Sequence, residues 1–233
     1  MQLHVSNTIR FFGDGFAGRW HLSPYTNSND AAVFLGLYDY ADIIQAQNHK
    51  GFKVLVFTGA DLVNYESLKH FNCISDQYDW GKGIIEIKDY SSFTPVKLGD
   101  KVYVYSSIAT PHFHSKFRMD MVEELKGWYG ADNFIIGYHG MGINDLRDNV
   151  YSKAFVNLQL NPNAGFTTAN EMQRMGRQSV SNYKAPFCLP FQSVSDILKH
   201  IELESKKIGT VQYLRQAPNL ITDNRWMDKA FWK

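Results

Sequence analysis

Short, continuous runs of apolar residues alternate along this chain with segments in which apolar side chains recur every three to four positions. A run without polar interruption predicts a strand that is buried on both faces, and the periodic segments predict amphipathic helices. The predicted strands cover residues 31–38, 53–59, 101–107, 133–140 and 154–160. The predicted helices cover residues 39–50, 61–71, 118–128, 168–175 and 195–207. This alternation predicts an α/β protein built on mostly parallel sheets.

The segments outside this alternation are less regular. Residues 3–12 read as a strand, and the glycine-rich residues 13–20 read as a turn. Shorter strands are predicted at residues 84–88 and 179–183, and residues 225–233 form an aromatic and basic amphipathic tail.

The alternation pauses before residue 101, which predicts two Rossmann-like lobes. We place the first lobe at residues 1–98 and the second at residues 99–233, with a last helix that can cross back to the first lobe.

Composition narrows the class of protein. The chain has 233 residues and a net charge of +1, and 44% of its residues are apolar, as in ordinary globular proteins. No apolar run approaches the length of about 20 residues that a membrane-spanning helix needs. Cys73 and Cys188 are far apart and in no metal-ligand spacing. With no signal-peptide pattern, these features predict a cytoplasmic protein.

The segment at residues 163–182, NAGFTTANEMQRMGRQSVSN, carries the strongest functional signal. Gly165 favours a tight turn, Thr168 is a natural N-cap, and Gly176 ends the predicted helix. A helix N-terminus offers unpaired N–H groups to a phosphate, and Glu171 in the first turns can accept hydrogen bonds from sugar hydroxyls. The same residues also fit a capping box, in which Glu171 only bonds back to the Thr168 N–H.

A basic loop follows the predicted strand at residues 101–107. It carries His112, His114, Lys116 and Arg118 at the entrance to a helix, where cations can neutralise a diphosphate leaving group. A solvated basic loop explains the same residues. His112 and His114 lack the further ligands that a metal site needs, so we expect no metal.

Two further strand ends are candidates. Residues 137–142 place glycines, including Gly140, around His139, but their spacing does not match a dinucleotide-binding fingerprint. Asp39 follows the predicted strand at residues 31–38, where it can act as a general base or simply begin a helix. Asp14 and His21 are weaker candidates of the same kind. No hydrolase or P-loop motif occurs.

Together these segments resemble the sugar-nucleotide half of a GT-B glycosyltransferase. The resemblance covers roughly residues 99–205 and rests on KVYVYSS, FHSKFRMDMVEEL, NFIIGYHGMG and, above all, GFTTANEMQRMGRQSVS. In that family two Rossmann-like lobes face a cleft, and the C-terminal lobe binds the donor. The resemblance therefore implies a reduced GT-B fold.

The resemblance also implies roles for individual residues. Glu171 would bind the ribose hydroxyls of the donor, and Lys116 and Arg118 would supply positive charge. The remaining donor-binding residues that it implies are His114, Gly140, Gly165, Phe166, Thr167 and Thr168. Asp39 would be the catalytic base on the acceptor side.

The implied reaction moves a hexosyl or pentosyl group from a UDP- or GDP-sugar to an acceptor hydroxyl, with no tightly bound cofactor. The chain also resembles, more loosely, the phage enzymes that glycosylate hydroxymethylated DNA bases. That resemblance implies DNA as an alternative acceptor to a glycan, and a location in the host cytoplasm. The chain departs from the family at Asn163, where many members are acidic, and at Gln178-Ser179, where a proline is usual. It is also short.

Two other interpretations stay open. A non-catalytic Rossmann-pair protein that binds a nucleotide or a protein partner fits Asn163 and the short first lobe. A nucleotide-sugar epimerase fits the α/β pattern but lacks the dinucleotide fingerprint.

Overall fold

The computed structural model describes most of the chain. The described residues are 1–76, 81–106, 115, 117–137, 141–161, 167–183, 185–216 and 219–233. His114, Lys116, Gly140, Gly165 and Phe166, for which we predict donor-binding roles, lie outside them.

The strands of the described residues form two sheets. In chain order they are β1 (Gln2–Val5), β2 (Ser23–Pro24), β3 (Ala32–Leu35), β4 (Lys53–Phe57), β5 (Asn72–Ser75), β6 (Ile84–Ile85), β7 (Lys101–Val104), β8 (Phe134–Ile136), β9 (Ala154–Leu158), β10 (Gln178–Val180), β11 (Cys188–Leu189) and β12 (Leu220–Ile221). Every pairing between these strands is parallel, which confirms the predicted α/β class with parallel sheets.

Helices connect the strands. The α-helices of the described residues are α1 (Gly13–Trp20), α2 (Tyr40–Asn48), α3 (Tyr65–Leu68), α4 (Met119–Tyr129), α5 (Ile143–Asp145), α6 (Thr167–Arg174) and α7 (Val194–Ser205). Short 3-10 helices span Asn7–Phe12, Ala60–Asn64, Ala131–Asn133, Tyr151–Lys153, Asn224–Met227 and Lys229–Trp232, and a π-helical turn spans Leu146–Val150. No helix of the described residues is long and apolar enough to cross a membrane.

The chain divides into two compact units. The first contains Met1–Asp89 together with Pro218–Lys233, and the second contains Tyr90–Ala217. This boundary lies earlier than the one predicted after residue 98, and the C-terminal segment, which we assigned to the second lobe, joins the first unit. That segment contributes β12 to the first sheet and the fully buried Trp226 to its core.

Both sheets have a doubly wound strand order. The first runs β12-β6-β5-β4-β3-β1-β2, and the second runs β11-β10-β9-β7-β8. In each sheet the first strand lies between the second and the third, so the winding direction reverses there. In the first sheet this reversal lies between β1 and β3, and in the second it lies between β7 and β9. Open parallel sheets bind ligands beyond the carboxyl ends of the strands at such a reversal.

Helical cover on both faces explains the uninterrupted apolar runs of the first sheet. Val33 and Leu35 pack in one core with Phe16 and Trp20 of α1. Their neighbours Ala32 and Phe34 point to the opposite face and pack in a second core, to which Ala46 of α2 and Leu68 of α3 contribute. Alternate residues of one strand therefore bury apolar surface on opposite faces.

The second sheet is covered in the same way. Val122 and Leu125 of α4 and Ile197 of α7 pack with β7, β9 and β10 in one core. On the other side Met172 of α6 packs with Tyr103 of β7. Gly176, with a φ of +91°, ends the α6 turn as predicted, because a left-handed conformation there suits only glycine.

The prediction for residues 3–20 is wrong in part. The strand is only β1, and a 3-10 helix follows it over Asn7–Phe12. The predicted glycine-rich turn is the helix α1, because Phe16 and Trp20 lie on one helical face and are both buried. Gly13 serves packing, since an added Cβ there would lie 3.2 Å from Val5 Cγ2.

Candidate functional site

The candidate donor site lies at the winding reversal of the second sheet. The loop after β7 leads to α4, and the loop after β9 leads to α6. The backbone ladder continues past the strand ends here, with the Tyr105 N–H donating to Leu158 O at 2.9 Å. Two helix N-termini therefore follow neighbouring strands at one edge of the sheet.

Glu171 is buried on α6, with only 3% of its surface exposed. Its Oε2 accepts a hydrogen bond of 2.7 Å from the hydroxyl of Tyr151, which follows the π-helical turn before β9. α6 begins at Thr167, so Thr168 is the second residue of the helix rather than its N-cap. The predicted N-cap role of Thr168 is therefore wrong, and Glu171 has a tyrosine hydroxyl as a partner.

A cluster of buried tyrosines supports Glu171. The rings of Tyr151 and Tyr103 pack edge to face with centroids 5.2 Å apart. Burial raises the pKa of Tyr151 to about 12 and holds the pKa of Tyr103 well above its usual value. Tyr151 is thus a neutral O–H donor at physiological pH, and it fixes one oxygen of the Glu171 carboxyl group.

Arg118 lies at the N-cap of α4 in a left-handed conformation with a φ of 51°. Its guanidinium contacts both carboxylate oxygens of Asp120, each at 3.2 Å, and this contact lowers the pKa of Asp120. An open surface cavity of about 470 Å³ is lined by Ser115, Arg118, Met119, Asp120 and Glu123. Exposed ion pairs are worth at most about 1 kcal/mol, so a phosphate can compete with Asp120 for Arg118.

Asp39 lies at the corresponding reversal of the first sheet, exposed and immediately before α2. It is the N-cap of that helix, and its own N–H donates to Asp42 Oδ2 at 3.1 Å. The helix-starting role foreseen for Asp39 is therefore present, and the exposed carboxylate is accessible to a ligand. Of the weaker candidates, Asp14 is exposed in the first turn of α1 and His21 caps its other end.

Sequence reasoning missed the partner of Asp42. His4 Nε2 of β1 lies 2.9 Å from Asp42 Oδ1, although the two residues are 38 positions apart. No local pattern connects them, because the contact depends on β1 pairing with β3. Tyr151 was missed for a different reason, because its segment shows neither helical nor strand periodicity.

The Asp42 contacts predict a pH dependence of stability. Burial by itself raises the pKa of Asp42, but hydrogen bonds from His4 and the Asp39 N–H hold it below its usual value of 3.8. The carboxylate therefore stabilises the fold fully above pH 3.8, and this contribution is lost as the pH falls through the folded-state pKa.

We expect Asp42→Asn to lower the free energy of unfolding by about 1 kcal/mol at pH 7, because hydrogen bonds to a charged group contribute about 1 kcal/mol more than those to a neutral group. The difference from the unsubstituted protein should shrink below pH 3.8, as measured by urea denaturation across pH. A deficit that stays constant down to pH 2.5 would contradict the assignment of the ionised carboxylate.

Among the described residues no group of three or more His, Cys, Asp and Glu side chains is placed to hold a metal ion. The His112 and His114 pair considered from the sequence lies outside them, as does His139. The sequence matches no protein-family model, and no curated protein is significantly similar to it.

Proposed function

We propose that the protein is a glycosyltransferase that moves a sugar from a nucleotide-diphosphate sugar to an acceptor hydroxyl. The observation that carries the proposal is the winding reversal between β7 and β9 in the second lobe. α6 begins after β9, and the buried carboxyl group of Glu171 lies within its first turns. Nucleotides are the common ligands of this position in doubly wound sheets.

In the proposal the second lobe binds a UDP- or GDP-sugar. The N–H groups at the start of α6 and the guanidinium of Arg118 would hold the diphosphate, with His114 and Lys116 adding charge. Glu171 would accept hydrogen bonds from the ribose hydroxyls, and Tyr151 would keep its carboxyl group in place.

The first lobe would bind the acceptor. Asp39 would take the proton of the acceptor hydroxyl as its oxygen forms a bond to the sugar C1, and the C1–O bond to the diphosphate would break with its electron pair leaving on phosphate. Stabilisation of that departing charge and positioning of the two substrates would supply most of the rate enhancement.

A thermal-unfolding panel of UDP-, GDP-, ADP- and CMP-sugars tests the donor assignment. Ligand at one hundred times its dissociation constant adds about 2.7 kcal/mol of stability, so one nucleotide class should raise the unfolding midpoint visibly. The free nucleoside diphosphate should show part of the same shift, and the free sugar should show none. If no nucleotide changes the midpoint, the donor assignment fails.

One observation favours the non-catalytic alternative. Glu171 and Arg118, the charged donor-site candidates that the structure describes, both contact side chains of the protein itself, Tyr151 and Asp120. A nucleotide that raises the unfolding midpoint but is neither hydrolysed nor used in transfer would support a binding protein instead of an enzyme.

A further inference from the structure

The first lobe concentrates its exposed apolar side chains at one edge. Phe11, Tyr40 and Val63 are 76%, 78% and 81% exposed, and they are the strongly exposed large apolar residues among its described positions. Phe11 follows β1, Tyr40 follows β3, and Val63 follows β4. Since these three strands are parallel neighbours, the loops that carry all three residues leave the same carboxyl edge of the sheet.

The three loops are fixed to one another. Ile9, the buried residue of the 3-10 helix that carries Phe11, packs against Gly36, where an added Cβ would lie 2.6 Å from Ile9 Cδ1. The buried carboxyl group of Asp61 accepts the N–H of Leu37 at 3.0 Å, and Asn64 Nδ2 donates to Leu37 O at 2.8 Å. The edge is thus held before any ligand arrives, which lowers the entropic cost of binding.

Exposed apolar surface rimmed by polar residues commonly marks a binding site. Here the loops of Phe11 and Tyr40 flank the winding reversal, where doubly wound sheets bind ligands. We call the surface formed by Phe11, Tyr40 and Val63 the aromatic edge.

Charge decides which ligand suits the aromatic edge. The exposed charged residues within three positions of these side chains are Arg10, Asp14, Asp39 and Glu66, which makes the surface acidic. Binding to DNA depends on neutralising phosphates with lysine and arginine, and this surface offers one arginine beside three carboxylates. A phosphate backbone would be repelled.

The same groups suit a neutral, hydroxyl-rich ligand. A sugar ring presents an apolar face of C–H groups, which packs on the electron-rich face of an aromatic ring. Its hydroxyls can donate to the exposed carboxylates of Asp14 and Asp39, and the exposed side chains of Asn7 and Thr8 add further polar groups.

We infer that the aromatic edge binds a carbohydrate and that the acceptor of the protein is a glycan. The word acceptor rests on the proposed function, but glycan binding itself does not, because it needs no donor. Phe11 and Tyr40 supply the stacking surface, and Asp39 lies next to Tyr40, within reach of the bound hydroxyls.

A glycan array, probed with fluorescently labelled full-length protein without donor, identifies the best oligosaccharide. That oligosaccharide is then titrated calorimetrically into the unsubstituted protein, Phe11→Ala, Tyr40→Ala and the double variant. We expect about tenfold weaker binding for each single variant, as for central aromatic residues of other binding sites. Trp128→Ala is the matched control, because Trp128 is a similarly exposed aromatic residue on α4, 73% exposed, and binding should not change.

Several results would overturn the inference. They are the absence of any glycan that binds, equal binding by the double variant, and binding of a 5-hydroxymethylcytosine oligonucleotide that Phe11→Ala weakens. A dimer in sedimentation that dissociates in the double variant would also overturn it, by assigning the edge to a second copy. The nucleotide-sugar panel separates the two proposals. Glycan binding without donor binding supports the aromatic edge and contradicts the proposed sugar transfer. Donor binding without glycan binding supports the donor site and contradicts the aromatic edge.

Discussion

Arg177→Met should lower the free energy of unfolding by about 3 kcal/mol or more, because each buried acceptor left without a donor costs about 1–3 kcal/mol. Arg177 is fully buried, and its guanidinium donates to the carbonyl oxygens of Ala154, Val96, Met175, Lys97 and Ser152. It thereby ties three separate segments of the second lobe together. Burial lowers the pKa of Arg177 to about 10, so it stays charged at physiological pH.

The loss is large because backbone carbonyls cannot be replaced along with the arginine. When both partners of a buried polar contact become apolar, the cost is small, but here the carbonyl oxygens stay behind without their donors. Arg177→Lys should also be destabilised, since a single ammonium group has three donors and cannot span the same geometry.

Urea denaturation of the full chain measures this effect, and amide hydrogen exchange shows where it acts. Protection should fall in residues 96–98 and 152–158 of the second lobe. If Arg177→Met does not fold, Arg177→Lys provides the measurement. Arg225→Met is the control, because Arg225 is exposed and pairs with Asp223 at the surface. We expect no measurable change in its free energy of unfolding. An unchanged urea midpoint in Arg177→Met would contradict the argument.

The alternating apolar runs predicted the fold class because burial on two faces leaves a direct mark on the sequence. Where a strand is short or partly polar, that mark is weak. β5 (Asn72–Ser75) was not predicted from the sequence for this reason. α1 was misread because glycine is usually found in turns, whereas Phe16 and Trp20 need the helix in order to reach the core.

The candidate site was predictable only in its local parts. The glycine that ends the α6 turn, Gly176, and the helix-starting role of Asp39 follow from neighbouring residues. The contact of Asp42 with His4 depends on the pairing of β1 with β3, and the contact of Glu171 with Tyr151 depends on how α6 packs against the segment before β9, so no local pattern encodes either. The same holds for the aromatic edge, since the loops of Phe11 and Tyr40 reach the same edge of the sheet only through the pairing of β1 with β3.

Glu171→Gln should weaken binding of the nucleotide-sugar donor about 10- to 150-fold while leaving the fold intact. The substitution keeps an oxygen that can accept the Tyr151 hydrogen bond of 2.7 Å and removes only the negative charge. Hydrogen bonds to a charged group contribute about 1.5–3 kcal/mol, and each 1.4 kcal/mol changes a dissociation constant tenfold. Calorimetric titration with the nucleotide-sugar selected by the thermal panel measures the change.

Two further variants separate ligand binding from a purely structural role of Glu171. Tyr151→Phe leaves the charge but removes the hydroxyl that fixes it, so donor affinity should fall by a smaller factor than in Glu171→Gln. Glu204→Gln is the matched control, because Glu204 is also a buried helical glutamate of the second lobe and pairs with Lys207 at 2.6 Å, at the C-terminal end of α7. Equal donor affinity in Glu171→Gln and Glu204→Gln would remove the ribose-binding role and leave Glu171 with a structural role beside Tyr151. A selective loss in Glu171→Gln, with an unchanged unfolding midpoint in the absence of ligand, would place the carboxylate in the donor site.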